Sequence, residues 1–168
     1  MDKRGKSIKT FSSFTKVQED QIEIMEGVNQ FVWDQNYPPA ERADGMILWN
    51  GGIGSAKAAP GKYTAKLKYG NDSTEFSFVI KPNPVYQATE ADYDEQVSFL
   101  LSVRDKFNEV QKAIKNIRTV RTQISELTSR IDAKVNKELK QYADSISKQL
   151  TAIEEALYQT KAKSGQDV

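Results

Sequence analysis

Between Pro84 and Gly165 the chain contains neither glycine nor proline. Glycine breaks helices by its backbone freedom and proline by its missing N–H, so this stretch constrains the fold more than any other feature. Along it, apolar residues step three and four apart: Tyr93, Leu100, Val103, Phe107, Val110, Ile114, Ile117, Ile124, Ile131 and Val135. That spacing gathers them on one side of a helix, and Val120 and Leu127 widen the stripe beyond a bare two-stranded seam. The same rhythm returns in Leu139, Tyr142, Ile146, Leu150, Ile153 and Leu157. Thr89, with Asp92 three residues on, has the form of a capping box, so the first helix is expected to start there. A turn is expected near residues 131–137, with Asp132 or Asn136 as cap, although "RIDAKVNKELK" also suits one continuous helix. Gly165 is expected to end the second helix.

The two expected helices differ in length. At about 1.5 Å per residue, some 43 residues would span roughly 65 Å and about 27 residues roughly 40 Å. Folding back from residue 136, the second helix would end opposite about residue 105. Val97, Leu100, Leu101 and Val103 then need cover from the other half of the chain, from another chain or from further sequence. On this reading the chain is expected to be incomplete as a folding unit.

The first half reads with a period of two. In "GKYTAKLKYG", Tyr63, Ala65, Leu67 and Tyr69 share one face while Lys62, Thr64, Lys66 and Lys68 share the other, the pattern of a half-buried strand. "TEFSFVIKP" follows with Phe76, Phe78 and Ile80 inward, and "GNDS" between them is hairpin chemistry. "KSIKTFS", "QIEIM" and "NQFVWD" are expected to be three more short strands, and "NYPPAERADG" a loop. The expected architecture is therefore α+β: an incomplete Ig-like antiparallel β-sandwich over 1–86, with about five short strands, then an antiparallel helical hairpin over 88–164 and a tail at 165–168.

The absences narrow the chemistry. The 168 residues include no cysteine and no histidine, which excludes disulfides, thiolate nucleophiles, His-based metal sites and Ser-His triads. Charged residues make up 28% of the chain but balance to a net +1, so nothing favours nucleic acid or an anionic membrane as partner. Lys106, Lys112, Lys115, Arg118 and Arg121 alternate with Asp105, Glu109 and Glu126 and read as a solvated helix face. No apolar run is long enough to insert in a membrane, and "MDKRGKSIKT" lacks the apolar core of a signal peptide.

"FVWDQNYPPAERADGMILWNGG", residues 31–52, gathers both tryptophans with a tyrosine and three acids. Asp34 with Glu41 or Asp44 has the residue types of a glycosidase pair, which needs two carboxylates about 5–9.5 Å apart and one of them with a raised pKa. Asp34, directly after a strand residue, reads better as a turn residue accepting backbone N–H bonds. Trp33 reads as core, and Met46, Ile47, Leu48 and Trp49 as an apolar loop tip laid over a neighbouring surface. "GGIGSAK" and "PGKYT" fail the phosphate-loop and dinucleotide patterns. The acidic groups near Asp72 and Glu90 match no calcium loop. No catalytic, cofactor-binding or metal-binding residue is assigned, and no cofactor is implied.

"RGKSIKTFS", "EGVNQFVWD" and "APGKYTAKLKYG" together resemble the Ig-like β-sandwich of the flagellar hook-capping type. With "FVWDQNYPPAERADGMILWNGG", "RDKFNEVQKAI" and "AIEEALYQTKAKSGQD", nearly the whole chain resembles the C-terminal region of large bacterial sortilin-like β-propeller proteins, usually labelled BNR-repeat glycosyl hydrolases. The resemblance implies a non-catalytic accessory module that follows a β-propeller in a periplasmic, surface or secreted protein. Its candidate interface is Tyr37, Met46, Ile47, Leu48 and Trp49 on the loop, with Val97, Leu100, Leu101 and Val103 on the helix. Two other readings stand beside it. One is a free-standing protein that self-associates through its helices, the other a carbohydrate-binding or glycoside hydrolase domain.

Overall fold

The computed structural model describes residues 1–48, 53–132 and 136–165. They form an α+β chain with a two-stranded antiparallel sheet, two helices and one turn of 3-10 helix at Gln18–Asp20. Contacts divide the chain into two compact units. The first joins Met1–Pro39 with Gly54–Ser102, and the second joins Ala40–Ile53 with Val103–Val168. Trp49–Gly52, Ala133–Val135 and the last three residues lie outside the described residues.

In the first unit, β1 (Gly61–Tyr69) pairs with β2 (Asp72–Ile80) across a two-residue turn at Gly70–Asn71. Gly70 sits at φ +57, in the left-handed region that this tight turn requires and that glycine enters without steric cost. The register places Tyr63 opposite Phe78 and Lys66 opposite Glu75. Both pairs interact: the rings stack at 5.9 Å and the ion pair closes at 2.7 Å. Trp33 meets Tyr63 and Phe78 edge-on at 6.0 and 6.4 Å, and its indole N–H donates to the Asn36 carbonyl. The alternation expected for the two strands is therefore present, but only its Tyr63–Phe78 end is covered. Leu67, Tyr69 and Phe76, on the same face, are exposed.

The three further strands are not found among the described residues. Their segments show only isolated bridges, Ser12 with Gln21 and Asn36 with Lys57. The physical reason is local competition for the backbone. Asn29 bonds both the N–H and the carbonyl of Met25, Asp34 accepts the N–H of Asn36, and Ser12 and Thr15 cap the residues two ahead of them. Asp2 likewise holds the N–H groups of Arg4 and Lys6. Backbone groups satisfied by near neighbours do not extend a ladder, so the β structure here is one hairpin.

The first helix, α1 (Glu90–Arg130), starts on the expected capping box: Thr89 Oγ1 accepts from the Asp92 N–H while the Asp92 carboxylate accepts from the Thr89 N–H and hydroxyl. Those bonds hold the Asp92 carboxyl below its ordinary value of 3.8. α1 ends at Arg130 and α2 (Lys137–Leu157) starts after Asn136, its cap residue; of the turn expected near 131–137, Ala133–Val135 lie outside the described residues. Its end differs from the expectation of Gly165. Tyr158 leaves the helix with extended backbone (φ −155, ψ 139), because its hydroxyl is committed to the Gly45–Ile47 backbone. Among the described residues no helix is long and apolar enough to cross a membrane.

Tyr63 gives the first unit a measurable signature. Its hydroxyl is buried and donates to the Ala59 carbonyl at 2.6 Å. Burial, with smaller contributions from Tyr37, Asp94 and Asp2, pushes its pKa up from 10.0 to about 12. The fold thus favours the protonated phenol. Its contribution to stability is whole below about pH 10 and is lost as pH rises through about 12. A tyrosinate absorbance titration is expected to show a late step near pH 12, and Tyr63→Phe to remove it.

Candidate interaction surface

The second unit is built on one side of α1. Asn108, Gln111, Lys115 and Arg118 recur at intervals of three and four, so their side chains line one flank of the helix. Each holds the segment Ala40–Leu48, hereafter the strap. Asn108 Oδ1 accepts the Glu41 N–H at 2.7 Å, and Gln111 Oε1 accepts the Ala43 N–H at 2.9 Å. Lys115 Nζ reaches the Glu41 carboxylate at 3.2 Å, and the Arg118 guanidinium donates to the Asp44 carbonyl. The strap lies close because Ala40 and Ala43 are small, and both are buried. Gln111 and Ile114 beneath it are fully buried. Gly45 (φ +70) turns the strap back, with the Met46 N–H bonded to the Ala43 carbonyl. Tyr158 then accepts the Ile47 N–H at 3.0 Å.

Where α1 meets α2 the contact is ionic. The Glu154 side chain is only 3% exposed; it accepts from Arg118 Nε at 2.7 Å and forms an ion pair with Arg121 Nη1 at 3.0 Å. Arg121 also donates to Thr151 Oγ1 at 3.1 Å. Partner numbers fall as α1 numbers rise, Arg118 to Glu154 and Arg121 to Thr151, so the two helices run antiparallel here. A cavity of about 380 Å³ opens beside this junction, lined among others by Gly45, Thr160 and Ala162. Both Glu154 oxygens are engaged by guanidinium groups, which suits them to joining elements rather than to moving protons.

The residues singled out in the sequence fall in different places. Met46, Ile47 and Leu48 come together on the strap, half-buried, while Trp49 lies outside the described residues. Tyr37 is half-buried in the first unit, where its N–H bonds the Ala56 carbonyl at 2.8 Å. Val97 and Leu101 are half-buried on the part of α1 that belongs to that unit, and Leu100 there is exposed. Val103, the first α1 residue of the second unit, is exposed too. Asp34 is a turn residue: bonds from the Asn36 N–H and side-chain amide hold its carboxyl below the ordinary 3.8, the reverse of what a general acid needs. Glu41 and Asp44 serve the strap. Among the described residues no three His, Cys, Asp or Glu side chains gather to hold a metal ion.

Two features correct the sequence reading. Lys115, Arg118 and Arg121 are not merely solvated; they bind the strap and Glu154. The signal was Asn108 and Gln111 beside the apolar stripe, polar residues where a plain helix seam wants none. Moreover, α2 does not cover the whole stripe: Val120, Leu127, Leu139, Tyr142, Ile146 and Ile153 are exposed. The chain matches no family model, no curated protein and no solved structure.

Because Glu154 is buried and its arginines are about one-third exposed, the three are not equivalent. Arg118→Ala with Arg121→Ala strands a buried carboxylate and is expected to cost about 3–5 kcal/mol. Glu154→Ala leaves guanidinium groups that water can reach and is expected to cost less, about 1–2 kcal/mol. Denaturant unfolding followed by helix circular dichroism gives both values, and the order is the check.

Proposed function

We propose that the chain is a non-catalytic interaction module, an accessory segment of a larger periplasmic, surface or secreted protein whose main body is a β-propeller. The observation that carries this reading is the open face of the β1–β2 hairpin. A two-stranded hairpin alone is marginal in water. Here Trp33 covers one end of the apolar face, and Leu67, Tyr69 and Phe76 stand uncovered beyond it. A surface of that kind is a docking surface, and completion of an Ig-like sandwich against a neighbouring body would satisfy it. The resemblance to the region following sortilin-like propellers supplies the kind of body. The well-held strap supports the same reading, since its polar residues are spent on structure.

Hydrogen exchange tests it. In the chain alone, the amides of β1 and β2 are expected to exchange far faster than those around Gln111–Ile117. Adding the β-propeller encoded with the chain is expected to slow the hairpin amides at least about tenfold, the shift that about 1.4 kcal/mol of added protection produces. Unchanged hairpin exchange with the propeller present, or the absence of any encoded propeller, overturns the reading.

A further inference from the structure

The second unit carries a second apolar face, distinct from the hairpin's. Arg118 and Arg121 mark the line along which α1 meets α2; Ala143, buried, and Glu154 mark the corresponding line on α2. At about 100° per residue, Ile124 lies roughly a quarter-turn round α1 from that line, with Val120 and Leu127 farther round in the same direction, at roughly 130° and 150°. Leu139, Ile146 and Ile153 lie roughly a quarter-turn round α2 from theirs. Since the helices are antiparallel, both displacements are toward the same side of the pair. The strap's anchors, Asn108 and Lys115, lie on the opposite flank of α1. The levels also match, because the pairing of 118 with 154 sets Val120 beside Ile153 and Leu127 beside Ile146.

We propose that this face binds a second copy of the chain, two helical pairs closing face to face into a four-helix bundle. This rests on the reading of the chain as an interaction module and names one of its partners. Charge decides in favour of a copy. From Leu139 to Leu157, the charged residues of α2 (Lys140, Asp144, Lys148, Glu154 and Glu155) all lie on its other sides, leaving Ser145, Gln149, Ala152 and Ala156 to border the face. A charged partner would find nothing to pair with, whereas a copy brings no like-charge repulsion. Area agrees. Leu127, Tyr142, Ile146 and Ile153 are 52%, 69%, 47% and 51% exposed. With Val120 and Leu139 the face offers on the order of 600 Å² of apolar surface per copy, against about 800 Å² per partner in a standard interface. The bordering alanines and Ser145 make up the difference and let helices approach closely. Heptad-like spacing on both helices suits the shallow crossing of such bundles.

Sedimentation equilibrium of the full chain tests the proposal. A dimer is expected at micromolar concentration. Leu127→Glu with Ile146→Glu puts charges on the face from both helices and is expected to raise the dimer dissociation constant about a hundredfold or more. Both positions are exposed in the single chain, so helix circular dichroism should stay unchanged and separate loss of pairing from loss of folding. Lys148→Glu, on another side of α2, is expected to leave the dimer intact. A chain that stays monomeric to about 100 times micromolar concentration, or a doubly substituted chain that still dimerises, overturns the proposal. So does a face protected from exchange only when a β-propeller is added. Those results leave the module reading standing, which fails instead if the hairpin ignores the propeller while the dimer forms.

Discussion

A buried carboxylate cannot remain charged in a protein interior without partners, and Glu154 is such a group. Its two oxygens take one guanidinium each, from residues one helical turn apart on α1. Sliding α2 by a turn would leave the carboxylate unmatched, so the junction fixes the register between the helices. Arg118 also grips the Asp44 carbonyl, carrying the same constraint into the strap. Its worth is better counted in specificity than in stability, since apolar residues of equal volume could pack there at no greater cost.

Committing the line between the helices to ions has a consequence for the rest of the stripe. Apolar residues that a plain antiparallel pair would bury between its helices are displaced to one side, and they appear as the exposed face through Leu127 and Ile146. On the other flank, Asn108 and Gln111 exchange apolar packing for hydrogen bonds to strap backbone. The same helix is thus polar-bonded on one flank and open on the other.

Local signals were legible in the sequence. The capping box at Thr89, the turn at Gly70–Asn71, the period of two in β1 and β2, and Asp34 as a turn residue are each set within a few residues, and each is present. The expected strands before residue 35 are absent because their short polar residues satisfy nearby backbone, a contest that pattern reading scores for the strand. The strap was seen as an apolar tip but not as a held segment, because its anchors are far along the chain: 67 residues separate Glu41 from Asn108 and 111 separate Ile47 from Tyr158. No window of sequence shows such pairs. The early end of α2 has the same origin, since nothing near Leu157 reports that Tyr158 is needed elsewhere.

Those separations also set an order of events. A chain made from its N-terminus presents Ala40–Leu48 long before residues 108–118 exist, and longer still before Tyr158 does. Until then Met46, Ile47 and Leu48 have no native surface to rest on. Docking the strap must therefore be a late, non-local step with a large loop to close, whereas α1 and the β1–β2 hairpin form from neighbours. A chain cut between Arg130 and Tyr158 would still build its first helix and its hairpin, yet leave the strap unfastened at its far end.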